Sequence, residues 1–378
     1  MLKRPLLLLC ILAAICPPTL GHSQQGIAVE PTRYSGMSDA SAAVVVGDTT
    51  FLVADDEQNT LRVYDSDRPG APVQTIPWDG HLGIDPRQDE HPEVDVEGAT
   101  VLGGRVYWIS SHGRNKDGRW RPNRHRFFAM TIRTTREGVV AEPFGVAYRN
   151  LAIDLVDDRR LQDLGLARAL GSAFSQSRTL APKRNGLNIE GLSATADGKS
   201  LLIALRNPRG GDDALLVPLE NPAAVLTDGA APRFGEPIQL ELQARVDGTA
   251  QNSGGRGLGI RSIEYSKRHG ACLLVAGPHD QKPGFALYRW SGVARDRPQL
   301  LEKATKRVND LEDFTPEALI VYPGRDKIQL LSDDGTLLVK VRSPAECKRG
   351  TFDNGRCEAK YLLDETRRTF RSIWIEVE

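Results

Sequence analysis

Residues 95–126 read DVEGATVLGGRVYWISSHGRNKDGRWRPNRHR. Two carboxylates, Asp95 and Glu97, open the stretch, and the small Gly98 follows. A Gly103-Gly104 turn then joins two short apolar runs, which is the chemistry of a tight β-hairpin. The second run ends in Ser110, Ser111 and His112, and a polar loop follows that carries Arg114, Lys116, Arg119, Arg121, Arg124 and Arg126.

The first half of this stretch recurs. Segments opening at Asp39 (SDASAAVVVGDTTFLVADDE), Glu190 (IEGLSATADGKSLLIALRNP), Arg261 (IRSIEYSKRHGACLLVAGPHD) and Glu317 (PEALIVYPGRDKIQLLSDDG) share its order. A charged residue comes first, then a small one, an alternating run, a turn, and a more apolar run ending in polar groups. Two more strand-like runs follow each hairpin: TLRVYD and PVQTIPW, RFFAMTI and VVAEPFGVAY, ALLVPL and EPIQLELQ, FALYRW and PQLLE, TLLVKVR and RSIWIEV. Four strands per repeat, five times over, predict an all-β chain folded as a β-propeller. The openings lie 58, 93, 71 and 56 residues apart, so the loops are long and a sixth blade could fit the widest gap. That gap also holds VDDRRLQDLGLARAL, which predicts a helix over about 155–172 with Leu161, Leu164, Ala167 and Leu170 on one face. The runs GIAVE (26–30) and WIEVE (374–378) could pair to close the ring.

Lys3 and Arg4 precede an apolar run and then Gly21 and Ser23, the grammar of an export signal over 1–23. A lipid anchor on Cys16 is the lesser reading, because Ile15 is not the small residue such processing wants. The mature chain of about 355 residues is then one propeller domain, periplasmic or secreted, with no further run able to span a bilayer. It is expected to be a monomer. With 49 basic and 49 acidic residues, no global basic field points to nucleic acid. Cys347 and Cys357 flank a polar loop and predict a disulfide in an oxidising compartment, with a metal pair as the lesser alternative. Cys272, inside ACLLVAG, reads as a buried thiol.

VEGATVLGGRVYWISSHGRNKDGRWRPNRHRFFA, NIEGLSATADGKSLLIALRNP and GLGIRSIEYS together resemble an exported bacterial family known as domain of unknown function 3616. More distantly, the recurrent Glu-Gly opening is similar to phytase-like and esterase-like propellers of the bacterial envelope. The nearer resemblance implies no activity, and the distant one implies phosphoester hydrolysis by analogy of fold.

Inner strands of a propeller face its channel, so Asp39, Glu97, Glu190, Arg261 and Glu317 should converge there, with Asp95 and Asn188 two residues ahead of two of them. Unpaired carboxylates so close repel one another unless solvated, paired, protonated or bound to a cation. Glu97, Glu190, Glu317 and Asp39 are the candidate ligands of Ca²⁺ or Mg²⁺, both of which prefer oxygen. Bonding that merely fixes blade geometry, and a metal-free ligand site, stay open beside that. The strand ends should form a second ring: Asp55 and Asp56, Ser111 and His112, Arg206 and Asn207, His279 and Asp280, Asp333 and Asp334. Ser111 and His112 are neighbours on an extended segment and should face opposite ways. His112, His279 and Arg261 are the candidate catalytic groups. Asp95, Arg114, Arg121, Arg124, Asn188 and Arg206 are the candidate contacts to an anionic small molecule, since guanidinium suits phosphate and carboxylate. The arginine loop could equally be a solvated loop paired with the acidic run 85–95. Ligand binding, metal-assisted phosphoester hydrolysis, and a non-catalytic interaction scaffold are the functions these features allow.

Overall fold

The structure is a computed structural model that describes residues 30–243, 245–246, 249–250, 257–279, 284–348 and 354–378. The expected export signal and all of GIAVE but Glu30 lie outside them, as does Asp280.

Five four-stranded antiparallel sheets form a five-bladed β-propeller. From the channel outward, blade 1 is β2 (Ala40–Val45), β3 (Thr50–Asp55), β4 (Gln58–Asp65) and β5 (Gln74–Pro77). Blade 2 is β6 (Val96–Leu102), β7 (Arg105–Ser110), β8 (Phe127–Thr135) and β9 (Gly138–Pro143). Blade 3 runs through β10 (Asn188–Ala194), β11 (Leu201–Gly210), β12 (Asp213–Leu219) and β13 (Ile238–Leu240). After a small hairpin, β14 (Arg245–Val246) with β15 (Thr249–Ala250), blade 4 is β16 (Gly259–Ser266), β17 (Ala271–Gly277), β18 (Ala286–Trp290) and β19 (Gln299–Leu300). The inner strands β2, β6, β10 and β16 pack side by side and meet β20 (Pro316–Val321) of blade 5, which returns to β2.

Blade 5 is built differently from the sequence expectation. Outside β20 and β21 (Lys327–Ser332) its third strand is β24 (Thr369–Glu376), and its outermost is the N-terminal β1 (Thr32–Ser35). The run TLLVKVR instead gives β22 (Leu338–Lys340), which pairs with β23 (Arg356–Glu358) in a separate two-stranded sheet. Closure therefore uses Thr32–Ser35 in register with Ser372–Thr369.

Blades face one another across apolar layers, and five hydrophobic clusters fill the five gaps between neighbours. A strand in such a stack is covered on both faces, so it reads as a continuous apolar run. All seven residues of β17, ACLLVAG, are buried accordingly. The gap between blades 2 and 3 holds no further blade. It holds four short helical turns, α1 (Leu151–Asp157), a 3-10 turn (Arg159–Leu164), α2 (Leu166–Leu170) and a second 3-10 turn (Arg178–Leu180). The single predicted helix fails at Gly165, whose φ of 79° ends one segment and caps the next. Within the predicted span Leu155, Leu161, Leu166, Ala169 and Leu170 are buried, Leu164 is half-buried and Ala167 is exposed.

The Cys347–Cys357 disulfide is present and Cys272 is free and buried. The bridge staples an insertion, 333–368, that leaves blade 5 between β21 and β24 and has its own small apolar cluster.

Candidate functional site

Each inner strand carries a β-bulge at the same level. The pairing register skips Ser41 in blade 1, Glu97 in blade 2, Glu190 in blade 3, Arg261 in blade 4 and Glu317 in blade 5. A bulge adds one unpaired residue and re-aims its side chain, and here it turns four charged groups and a serine to the axis. The small residue that follows has a steric cause. A Cβ at Gly98 would lie 2.9 Å from the backbone nitrogen of Leu192 in the next blade, and one at Gly191 would lie 3.0 Å from Ile263.

Blade 1 thus departs from expectation. Ser41 holds the bulge and its hydroxyl donates to the Val96 carbonyl at 2.6 Å. Asp39 sits two residues earlier, at the level of Asp95 and Asn188.

The channel end divides into two halves. In one, charges are matched. Arg261, 4% exposed, forms an ion pair with Glu190 at 2.8 Å and another with Glu317, and Arg206 binds the other oxygen of Glu190 at 2.8 Å. Asn188 donates to that oxygen at 2.6 Å, leaving its own Oδ1 buried with no hydrogen-bond partner. Burial would raise the Glu190 pKa, but Arg206 and Arg261 outweigh it and hold the carboxyl below its usual range.

The other half is acidic. Ligand atoms of Asp39, Asp55 and Asp56 lie within 4.8 Å of one another, and so do those of Asp56, Asp95 and Glu97. Asp56 belongs to both triplets, and its Oδ1 is buried with no hydrogen-bond partner. Burial first, then repulsion from neighbouring carboxylates (Asp333 and Asp55 on Asp39, Asp39 and Asp333 on Asp56, Asp95 and Glu190 on Glu97), pushes Asp39, Asp56 and Glu97 well above the ordinary carboxylate range. Asp55 rises to about 7 through burial, against the pull of Arg62, its partner at 3.7 Å. Arg124 reaches Asp95 at 2.9 Å and also pairs with Glu93. The expected metal ligands fall in both halves. Glu190 and Glu317 belong to the arginine-matched half, and the convergent oxygens come from Asp39, Asp55, Asp56, Asp95 and Glu97.

The remaining predicted residues are placed as follows. Ser111 donates its hydroxyl to Asp95, while His112 turns its Nδ1 to the Ser110 carbonyl at 2.8 Å and its ring toward His125, 5.5 Å away. They face opposite ways, and burial pushes His112 down to about 4. Arg114, 2% exposed, donates to the carbonyls of Leu170, Ser172, Ser175 and Gly118, bracing the loops above blade 3. Arg121 donates to the Trp120 carbonyl at 3.3 Å. His279 follows β17 and is half-buried. Of the arginine loop, then, Arg124 joins the acidic half by ion pairs, and it does so through the acidic run 85–95 that the second reading invoked.

Sequence reasoning missed Glu264 and Thr100. Thr100 on β6 accepts from the Ala194 amide of β10 and donates to Glu264 on β16 at 3.1 Å, so these side chains meet across the channel. Burial raises Glu264 to about 8, against the smaller opposing effect of the Thr100 hydroxyl. A carboxyl whose folded pKa lies above its unfolded value contributes stability in full below the unfolded pKa and loses it as pH rises through the folded one. The Glu264→Gln protein should therefore gain on the parent as pH goes from 5 to 8. A difference of about 2 kcal/mol by pH 8 is expected, after discounting for solvent in the channel. Parallel melting curves across that range would contradict the assignment.

No family model matches the chain, and no curated protein does. The resemblance to domain of unknown function 3616 therefore rests on its quoted residues alone. Solved structures similar to the chain include glutaminyl cyclase of Myxococcus xanthus, 12% identical with a TM-score of 0.41, covering 92% of this chain and 100% of that one. The PQQ-bound aldose sugar dehydrogenase of Streptomyces coelicolor is 13% identical, TM-score 0.38, covering 91% and 96%. The β-propeller domain of Cps50 from Myceliophteria thermophila is 12% identical, TM-score 0.35, covering 90% and 97%. At such scores they carry nothing about this chain's chemistry. Among the described residues no helix is long and apolar enough to cross a membrane.

Proposed function

We propose that this protein is an exported propeller whose channel end binds a divalent cation, Ca²⁺ or Mg²⁺, and through it an anionic small molecule. One observation carries the reading: Asp56 Oδ1, buried and without a hydrogen-bond partner, stands where two carboxylate triplets meet. Besides burial, neighbouring carboxylates raise Asp39, Asp56 and Glu97, with Asp56 repelled by both of the others, and a hard cation relieves that repulsion with the oxygen donors it prefers. A carboxylate or phosphate would then complete the cation's coordination. The disulfide supports export, because such bridges persist in oxidising compartments.

The experiment is a titration of chelated protein with Ca²⁺ and Mg²⁺ while following its melting temperature. A cation at about 100 times its dissociation constant adds about 2.7 kcal/mol, and Asp56→Asn should remove most of that gain. No stabilisation by either ion would discard the metal. Assays on phosphomonoesters and phosphodiesters then separate the two forms of the reading: turnover lost in Asp56→Asn makes it a metal-assisted hydrolase, and binding without turnover makes it a binding protein. The rival scaffold reading has one observation in its favour, a groove of about 620 Å³ at the turns of blades 5, 1 and 2, lined by Val45, Val101, Val106 and Ile132. Cation stabilisation that depends on Asp56 is what a pure scaffold would not show.

A further inference from the structure

The insertion 333–368 touches the acidic half directly. Asp333 and Asp39 form a β-bridge, the Asp334 amide donates to the Ser38 carbonyl at 2.9 Å, and Gly335 lies so close to Asp39 that a Cβ there would overlap the carboxylate. The Gly335 carbonyl in turn accepts from the Lys360 amide at 3.1 Å, and the Leu337 carbonyl accepts from the Ala359 amide at 2.9 Å. Lys360 is thereby fixed over blade 1. Its ammonium donates to Glu57 at 2.6 Å and is only 18% exposed. Burial opposes its charge, but Glu57, Asp56 and Asp39 keep it protonated. The Cys347–Cys357 bridge ties down the arm that carries it, three residues beyond Cys357, and Lys348 bonds the Tyr361 carbonyl at 2.7 Å beside it.

We propose that Lys360 is a tethered counter-ion that competes with the free cation for the Asp39–Asp56 carboxylates and so sets the affinity of the site. The inference rests on the cation reading above and names its regulation. Glu57 is the parking position: with the ammonium on Glu57, Asp56 is open to a divalent ion, and with Glu57 removed the ammonium turns to Asp56 and Asp39, the carboxylates that attract it most after Glu57. A four-carbon stem on a fixed backbone gives a lysine that reach. A positive charge beside a cation site weakens binding by Coulomb repulsion and by occupying the ligands. Cutting the disulfide loosens the arm and so acts in the same direction as deleting the ammonium.

The two functions of Lys360, repulsion and occupancy, are separated by a double-mutant cycle. Dissociation constants for Ca²⁺ are measured by calorimetry on the full exported chain for the parent, Lys360→Met, Glu57→Gln and the double variant. Lys360→Met is expected to bind about tenfold more tightly than the parent. Glu57→Gln should bind about tenfold more weakly, and in the Lys360→Met background most of that loss should vanish, because no ammonium is left to be released. If the parent binds and Lys360→Met binds equally, the counter-ion role is overturned while the cation reading stands. If the parent fails to bind and Lys360→Met binds, the lysine is the resident occupant and the proposal holds in its stronger form. If no variant binds a cation although all melt cooperatively, the cation reading fails and the inference with it. Reduction of the disulfide in the folded parent should tighten binding in the same sense, and a loosening would contradict the tether.

Discussion

Arg261→Met is expected to destabilise the fold by about 3–5 kcal/mol, the usual cost of removing one member of a buried ion pair. Arg261 lies at 4% exposure between Glu190 and Glu317, themselves at 4% and 8%. Its loss leaves Glu317 without that ion-pair partner, and leaves Glu190 with the Arg206 ion pair and the Asn188 hydrogen bond. Most of the cost is thus the desolvated charge left behind, not the attraction lost. That predicts a recovery: Arg261→Met combined with Glu317→Gln should regain a large share, because the orphaned carboxylate becomes a neutral amide. Denaturant unfolding of the parent and both variants measures this. A double variant as unstable as the single one would mean that Arg261 acts through packing against Phe285, whose ring it approaches at 6.0 Å. A pH dependence follows for the parent. The Glu190 pKa is lowered in the fold, so its share of stability is present above the unfolded value of about 4.3 and is lost as the solution becomes more acid.

The five hairpins were legible because each blade must solve the same local problem. A bulge needs a small residue after it, where the next blade's backbone presses in. Gly98, Gly191, Ser262, Ala318 and Ala42 hold that place. In blade 1 both Ala40 and Ala42 satisfy the requirement, and keying on the charge at Asp39 chose the wrong one by two residues. Only the pairing Ala40 with Asp55 and Ala42 with Ala54 identifies Ser41 as the bulge. The partners of blade 5 were hidden for another reason. TLLVKVR alternates well enough for a blade strand, and the disulfide hairpin that claims it is a tertiary event. In the site, residue types were readable and partners were not. Glu190 and Glu97 occupy equivalent bulges, yet one meets two arginines and the other meets Asp56 and Asp95. Nothing near either in sequence distinguishes them. Lys360 carried no signal at all, since its place over blade 1 depends on contacts to Gly335 and Glu57 made across the fold.

Tyr34→Ala should cost a further about 3–5 kcal/mol, the range for truncating a large aromatic in a core. The residue is 1% exposed on the closing strand β1 and stacks on Phe370 with ring centres 5.1 Å apart. It also meets Phe51 and Tyr64 edge-on at 5.4 and 5.3 Å, so one ring joins blade 5 to blade 1. Aromatic pairs contribute about 0.5–1.5 kcal/mol beyond their buried area. Tyr34→Phe keeps every ring contact and loses only the bond from Gln329 at 3.4 Å, so a loss under about 1 kcal/mol is expected. The pair of variants separates ring packing from the hydroxyl, and equal losses would refute the packing account. The effect should also reach the site. Four residues past Tyr34 the chain enters Ser38 and Asp39, and Ser38 is bonded to Asp334 in the insertion that carries Lys360. Loosening the closing strand therefore frees the segment that supplies Asp39 to its carboxylate triplet. A Tyr34→Ala protein that remains folded at low temperature should bind Ca²⁺ more weakly than the parent, whereas Tyr34→Phe should bind it equally well. Unchanged affinity in Tyr34→Ala would show that ring closure and the acidic half are held independently.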